Sequence, residues 1–185
     1  MKLFLLILGC KPKGRNTEQH DTFFGIGRSL ADLLPQIKQF WPGAGTIHID
    51  SWREVTAVDG YAIRVEPKAE AIEQPQDKLF FLNLGGYKSA DLEEYHYKLL
   101  AVAKTKTIAI QVAKKTAFYL HTGFKGAESH IDDKYGVDVD DVYEIADVLP
   151  QGIKESYSLV IEKKNDLPED EFHIGYVTLR SLEMQ

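Results

Sequence analysis

The feature that most limits what this chain can fold into is an internal repeat. Lys2-Leu3-Phe4-Leu5-Leu6-Ile7-Leu8-Gly9 returns as Lys78-Leu79-Phe80-Phe81-Leu82-Asn83-Leu84-Gly85, with Lys, Leu, Phe, Leu, Leu and Gly at the same places. The spacing that carries Lys2 to Lys78 also carries Glu18 and His20 to Glu94 and His96. A short insertion then lengthens the spacing, so that His48-Ile49-Asp50 falls on His130-Ile131-Asp132, and Val55, Asp59 and Tyr61 on Val137, Asp141 and Tyr143. So long a period excludes a solenoid of short repeats. It predicts two similar subdomains related by a pseudo-twofold axis: residues 1–65, a charged, Pro-containing linker over 66–77, and residues 78–150, with 151–185 as an unmatched C-terminal strand extension.

The expected fold class is α+β, with tandem ββαββ repeats forming mixed sheets that carry their helices on one face. Residues 2–9 are apolar without alternation, which predicts a strand covered on both faces. A second strand is expected over about 19–27 and a helix over about 30–41, opened by Ser29 as N-cap and kinked at Pro35. The small residues Gly25 and Gly27 share one strand face, where a helix can approach closely. His20, Thr22, Phe24 and Ile26 share the other, too apolar for open water, which points to cover by the other half or a second subunit and hence to self-association. Thr46–Val55 is read as a strand with His48, Asp50 and Trp52 on one face. Asp59-Gly60 is a turn signal, after which Tyr61–Val65 returns as a hairpin partner. In the second copy the helix is expected over about 106–120, ending near Gly123. Two strand-forming runs in the tail, 156–161 and 173–179, are expected to extend the sheet or cap an edge.

Several stretches resemble a known family: Lys-Leu-Phe-Leu-Leu-Ile-Leu-Gly-Cys at the start, Glu-Gln-His-Asp at 18–21, His-Ile-Asp-Ser-Trp-Arg-Glu-Val at 48–55, and 123–141. The family is a small bacterial one catalogued as domain of unknown function 1543, found in one or two copies per chain. The resemblance implies a duplicated cytoplasmic domain and brings no catalytic residues with it.

Charge and cysteine content narrow the partners. With 28 Asp and Glu against 22 Lys and Arg, the net charge is −6, which argues against nucleic acid, since phosphate-backbone binding needs a basic face. A single cysteine fits a reducing compartment and a cytoplasmic location. Ile7-Leu8-Gly9-Cys10 resembles a lipoprotein signal, but the near-copy ending in Gly85-Gly86 cannot be one, so the opening run is read as a buried strand and no membrane association is expected.

The candidate polar site is a duplicated set: Glu18, His20, His48 and Asp50 in the first copy, Glu94, His96, His130 and Asp132 in the second. A helix joining two parallel strands brings the starts of both strands to one end of the sheet, which places His20 and His48 within reach of each other and of the two carboxylates. Two histidines with a carboxylate form a donor set for zinc or iron. The same alternation equally suits polar groups that hydrogen-bond to loops, and this structural role is the preferred reading. The acidic run Asp132, Asp133, Asp138, Asp140, Asp141 and Glu144 lacks EF-hand spacing and is read as solvated. Cys10 shares a hairpin with His20, but its counterpart is Gly86, which argues against a nucleophile. Trp41, Trp52, Tyr95, Tyr97 and Tyr119 are read as core or interface residues. No catalytic motif, cofactor signature or ligand is legible. The leading expectation is a non-catalytic binding or assembly module, and its rival a small metal-dependent enzyme using the His and Asp/Glu sets.

Overall fold

A computed structural model describes residues 1–68, 77–87, 92–116 and 137–184. The chain divides into two units, one made of Met1–Ile72 with Leu149–Gln185, the other of Glu73–Val148. The tail thus belongs to the first unit.

In the first unit the opening apolar run forms β1, Lys2–Cys10, the strand around which the rest is laid. It pairs antiparallel with β2, Gln19–Gly27, on one side and with β3, His48–Glu54, on the other. Phe4, Leu6, Leu8 and Cys10 are buried on the face that meets the helix, in a core with Phe23, Leu33, Ile37 and Ile49. On the opposite face Leu3 is buried, while Leu5 and Ile7 are half-buried. The lack of alternation in β1 thus corresponds to cover on both faces, heavier on the helical side.

The expected helix is present in two pieces. A 3-10 turn, Ala31–Leu33, leads into α1, Leu34–Phe40, with Pro35 in its first turn. There the missing N–H costs nothing, so the proline starts the α-helix where a kink was expected. Ser29 is not the cap. Asp32 reaches back instead, its Oδ2 accepting the Arg28 N–H at 2.8 Å. The helix packs closely because Gly25 and Gly27 present no side chain: a Cβ on either would lie 3.0 Å from Leu33 Cδ2. Gln36 ties the helix to the sheet edge, donating from Nε2 to the Ile26 carbonyl at 2.8 Å.

β3 carries a bulge. Ile7 is in register with Ser51 and Leu8 with Ile49, leaving Asp50 as the extra residue. The inserted residue resets the alternation. His48 and Asp50 stay on the face opposite the helix, but Trp52 turns to the helical side and packs on Phe4, ring centroids 6.1 Å apart. The expectation that Trp52 shares a face with His48 fails for this reason.

β4, Ala57–Val58, and β5, Tyr61–Pro67, form a tight hairpin through Asp59 and Gly60, both at positive φ (52° and 78°). This matches the turn signal, but the partner of β5 is β4, not β3. Its other edge pairs with β9, Tyr157–Lys163. The second tail strand, β10, His173–Thr178, adds to the outer side of β3, giving the order β10-β3-β1-β2. Of the remaining helices, α3 (Ile145–Val148) lies in the second unit, and α4 (Gln151–Ser156) and α5 (Leu179–Glu183) in the first. The described pairings are all antiparallel where mixed sheets were expected; β2 and β3 run parallel to each other, but across β1.

The second unit repeats the core of the first. β6, Lys78–Tyr87, lies between β7, Glu94–Ala103, and β8, Val137–Glu144, with α2, Lys106–Ala113, after β7. Thr105 caps α2, its Oγ1 accepting the Ile108 N–H at 3.3 Å. The helix ends at Ala113, short of the expected 120; residues 117–136 lie outside the described set.

Register shows which residues correspond. Phe4 faces Glu54 and Phe80 faces Glu144; the bulge follows Ile7 in one strand and Asn83 in the other. Lys2–Glu54 at 2.8 Å has its counterpart in Lys78–Glu144 at 2.7 Å. His48, Ile49 and Asp50 therefore correspond to Asp138, Val139 and Asp140, not to His130, Ile131 and Asp132. The matches of Val55, Asp59 and Tyr61 with Val137, Asp141 and Tyr143 fall with them, because β8 begins later than the resemblance of His-Ile-Asp suggested. Among the described residues the second unit has β-β-α-β and a short helix, so the fold class is α+β while the ββαββ pattern is not reproduced in both halves.

Candidate metal centre over Gly9

Gly9 stands in register with His20 on β2 and with His48 on β3. The histidines are thus two strand spacings apart, roughly 10 Å at the backbone, with one strand between them. The absent side chain on that strand lets them meet. A Cβ at Gly9 would run into His48 Nε2 and would lie 2.8 Å from Asp50 Oδ2. The sequence argument required β2 and β3 to be neighbours. They are not, and glycine on the intervening strand achieves the same approach.

Above Gly9 four side chains close a ring. His48 Nε2 lies 2.9 Å from Glu18 Oε1 and 3.2 Å from Asp50 Oδ1. His20 Nε2 lies 3.2 Å from Asp50 Oδ2 and 3.9 Å from Glu18 Oε2. Each carboxylate therefore spans both imidazoles. The bulge on β3 positions Asp50, and Glu18 immediately precedes β2. Burial is graded: the His48 side chain is 6% exposed, beneath the Tyr176 ring at 4.3 Å, whereas that of His20 is 48% exposed. Asp50 Oδ2 is itself buried and accepts no hydrogen bond, although His20 Nε2 is close.

In the second unit, Gly85 is in register with His96 and with Asp138, and a Cβ there would run into Asp140. His96 Nε2 lies 3.2 Å from Asp140 Oδ2 and 3.9 Å from Glu94 Oε2. These repeat the His20–Asp50 and His20–Glu18 separations. His130 and Asp132 lie outside the described residues. Of the expected set, then, the structure gathers Glu18, His20, His48 and Asp50 in one unit, and Glu94 and His96 in the other. Asp140, which the sequence reading left in a solvated acidic run, joins the second group.

The remaining candidates take other places. Cys10 is on the helical face of β1, away from both histidines, and burial pushes its thiol pKa up, with the Glu18 carboxylate adding to the rise. Trp41 and Trp52 pack on the core, Tyr97 is exposed, and Tyr119 lies outside the described residues. Sequence reasoning missed Gly9 and Tyr176. The recurrence of glycine at 9 and 85 was the signal for the first; nothing in the tail pointed Tyr176 toward His48.

Fold and site together define an α+β protein built on a β-β-α-β core, with a cluster of histidine and carboxylate side chains over a central-strand glycine. Residues 15–65 match the family described as Domain of Unknown Function (DUF1543), a stretch from just before β2 into β5 that holds all four side chains above Gly9. The match supports the resemblance noted from the sequence. Among solved structures, a protein Il1583 from Idiomarina loihiensis is similar in fold: TM-score 0.65 and 24% identity, over 96% of this chain and 97% of that one. No curated protein matches significantly.

Proposed function

We propose that the protein is a divalent-metal-binding module whose first unit holds one transition-metal ion over Gly9, with His20, His48, Glu18 and Asp50 as donors. One observation carries the reading: His20 and His48 each approach both Glu18 and Asp50, with ring nitrogens 2.9–3.9 Å from carboxylate oxygens, so that the four side chains close a ring above Gly9. Donors that share an ion at about 2.0–2.2 Å, at tetrahedral or octahedral angles, lie about 2.9–3.5 Å from one another. Three of the four separations fall in that span. An ion held there offsets the charge of the two carboxylates.

Two imidazoles with two carboxylates suit zinc, iron or manganese better than calcium or magnesium, which take all-oxygen shells. The exposed flank at His20 leaves room for a water or a small ligand, the feature that separates a reactive metal site from a closed structural one. The test is elemental analysis of protein purified without an affinity tag. Near-stoichiometric zinc, iron or manganese, lost in a folded His48→Ala variant, supports the reading. Metal-free protein that takes up none of these ions on dialysis contradicts it.

A second observation favours self-association. Among the described residues β10 is an edge strand, and Phe172, Ile174 and Tyr176 on and beside it are exposed at 66%, 87% and 65%. An apolar edge with free backbone groups is suited to pairing with a second copy of the chain. Sedimentation equilibrium tests this: a dimer converted to monomer by Ile174→Lys supports it, and a monomeric parent protein contradicts it.

A further inference from the structure

We infer that the second unit carries its own cation site, formed by Glu94, His96 and Asp140 over Gly85, with one imidazole fewer than the site over Gly9. One ligand atom from each of the three residues lies within 4.8 Å of the others. The arrangement is not a chance meeting of surface acids. Its imidazole and its bulge-borne aspartate keep the spacing of their counterparts in the first unit, and a glycine stands beneath them at the same register position.

Among the described residues the two sites differ at one register position. Opposite Gly9 stands His48; opposite Gly85 stands Asp138. Among the described residues the second unit therefore has no counterpart to the buried imidazole, and the donor set they offer is one nitrogen and two carboxylates. Nitrogen donors favour zinc over manganese, whereas carboxylate and water ligands suit manganese and magnesium. The preference for zinc over manganese is accordingly weaker over Gly85 than over Gly9. In a cell, such a pair fills in order, zinc or iron entering the first unit and manganese remaining competitive at the second. All three donors of the second site belong to the second unit.

Manganese electron paramagnetic resonance on the full chain tests this directly, since free and bound Mn²⁺ give distinct signals. A His20→Ala/His48→Ala double variant removes the imidazoles of the first unit and isolates the second. The expected result is one Mn²⁺ bound by the double variant, with affinity falling at least about tenfold on adding Asp140→Asn or His96→Gln. Zinc should displace manganese from the double variant less effectively than from the first unit, isolated by Asp140→Asn alone. If circular dichroism shows the double variant misfolded, the comparison of parent protein with Asp140→Asn decides: loss of one bound Mn²⁺ supports the site. Manganese binding that is absent from the folded double variant, or unchanged by Asp140→Asn, overturns it. Failure of the reading for the first unit shows separately, as metal content indifferent to His48→Ala.

Discussion

Gly9 is the residue whose lack of a side chain matters most to the proposed site. Alanine there meets His48, which is buried, and Asp50. Gly9→Ala is expected to weaken metal binding on the order of 10- to 100-fold and to cost roughly 1–3 kcal/mol of stability, measured by calorimetric titration and urea unfolding. Asp170 fixes the tail to the sheet edge. Its side chain is 1% exposed; Oδ1 accepts from Thr56 N at 3.0 Å, Thr56 Oγ1 at 2.6 Å and Ala57 N at 3.2 Å, and Oδ2 lies 3.4 Å from Arg53. Burial pushes the Arg53 pKa down and the Asp170 carboxylate pushes it back up, so removing the acid strands a desolvated cation. Asp170→Ala should cost about 3–5 kcal/mol in urea unfolding, a loss that a surface pair would not show.

At the scale of elements, the sequence was most legible where local chemistry decides. The Asp59-Gly60 turn forms where the dipeptide predicted it, because both central residues take positive φ. Gly60→Ala should cost about 1 kcal/mol through that backbone conformation alone. The helix after β2 was legible in position, but Pro35 was misread because a proline's effect depends on which turn of the helix it occupies. Pairing was less legible. β5 takes β9 as its partner, from the far end of the chain, and no local pattern distinguishes that edge from β3. The bulge at Asp50 was invisible for the same reason: one extra residue is defined only against the opposite strand, yet it determines which side of the sheet Trp52 occupies. The His-Ile-Asp at 130–132 shows the hazard of short matches. The register of β6 with β8 aligns Glu144 with Glu54, and the apparent second histidine of the repeat gives way to Asp138.

For the chain as a whole, acid sensitivity follows from exposed ion pairs. Arg64 holds Glu162, and Lys38 holds Glu183, below the usual carboxylate range, chiefly by hydrogen bonds. A folded-state pKa depressed below its unfolded value contributes stability that is present above the ordinary glutamate pKa and lost as pH falls through the folded one. Melting temperature should therefore decline below about pH 4.5, with a shallower decline in Lys38→Ala. Among the described residues no helix is long and apolar enough to cross a membrane. The α+β class and the grouping of Glu18, His20, His48 and Asp50 were legible because a repeat and a helical crossover constrain strand direction. The composition of the second cluster was not, since it depends on register between distant strands.

The proposed first site requires the imidazoles of His20 and His48 to share one ion over Gly9. Anomalous diffraction at the zinc edge, from crystals grown with zinc, tests it most directly. The expected result is a peak about 2.0–2.1 Å from both Nε2 atoms, with oxygens of Glu18 or Asp50 completing the shell. A map with no peak between those nitrogens, and an ordered hydrogen bond to Asp50 Oδ2 in its place, would contradict it.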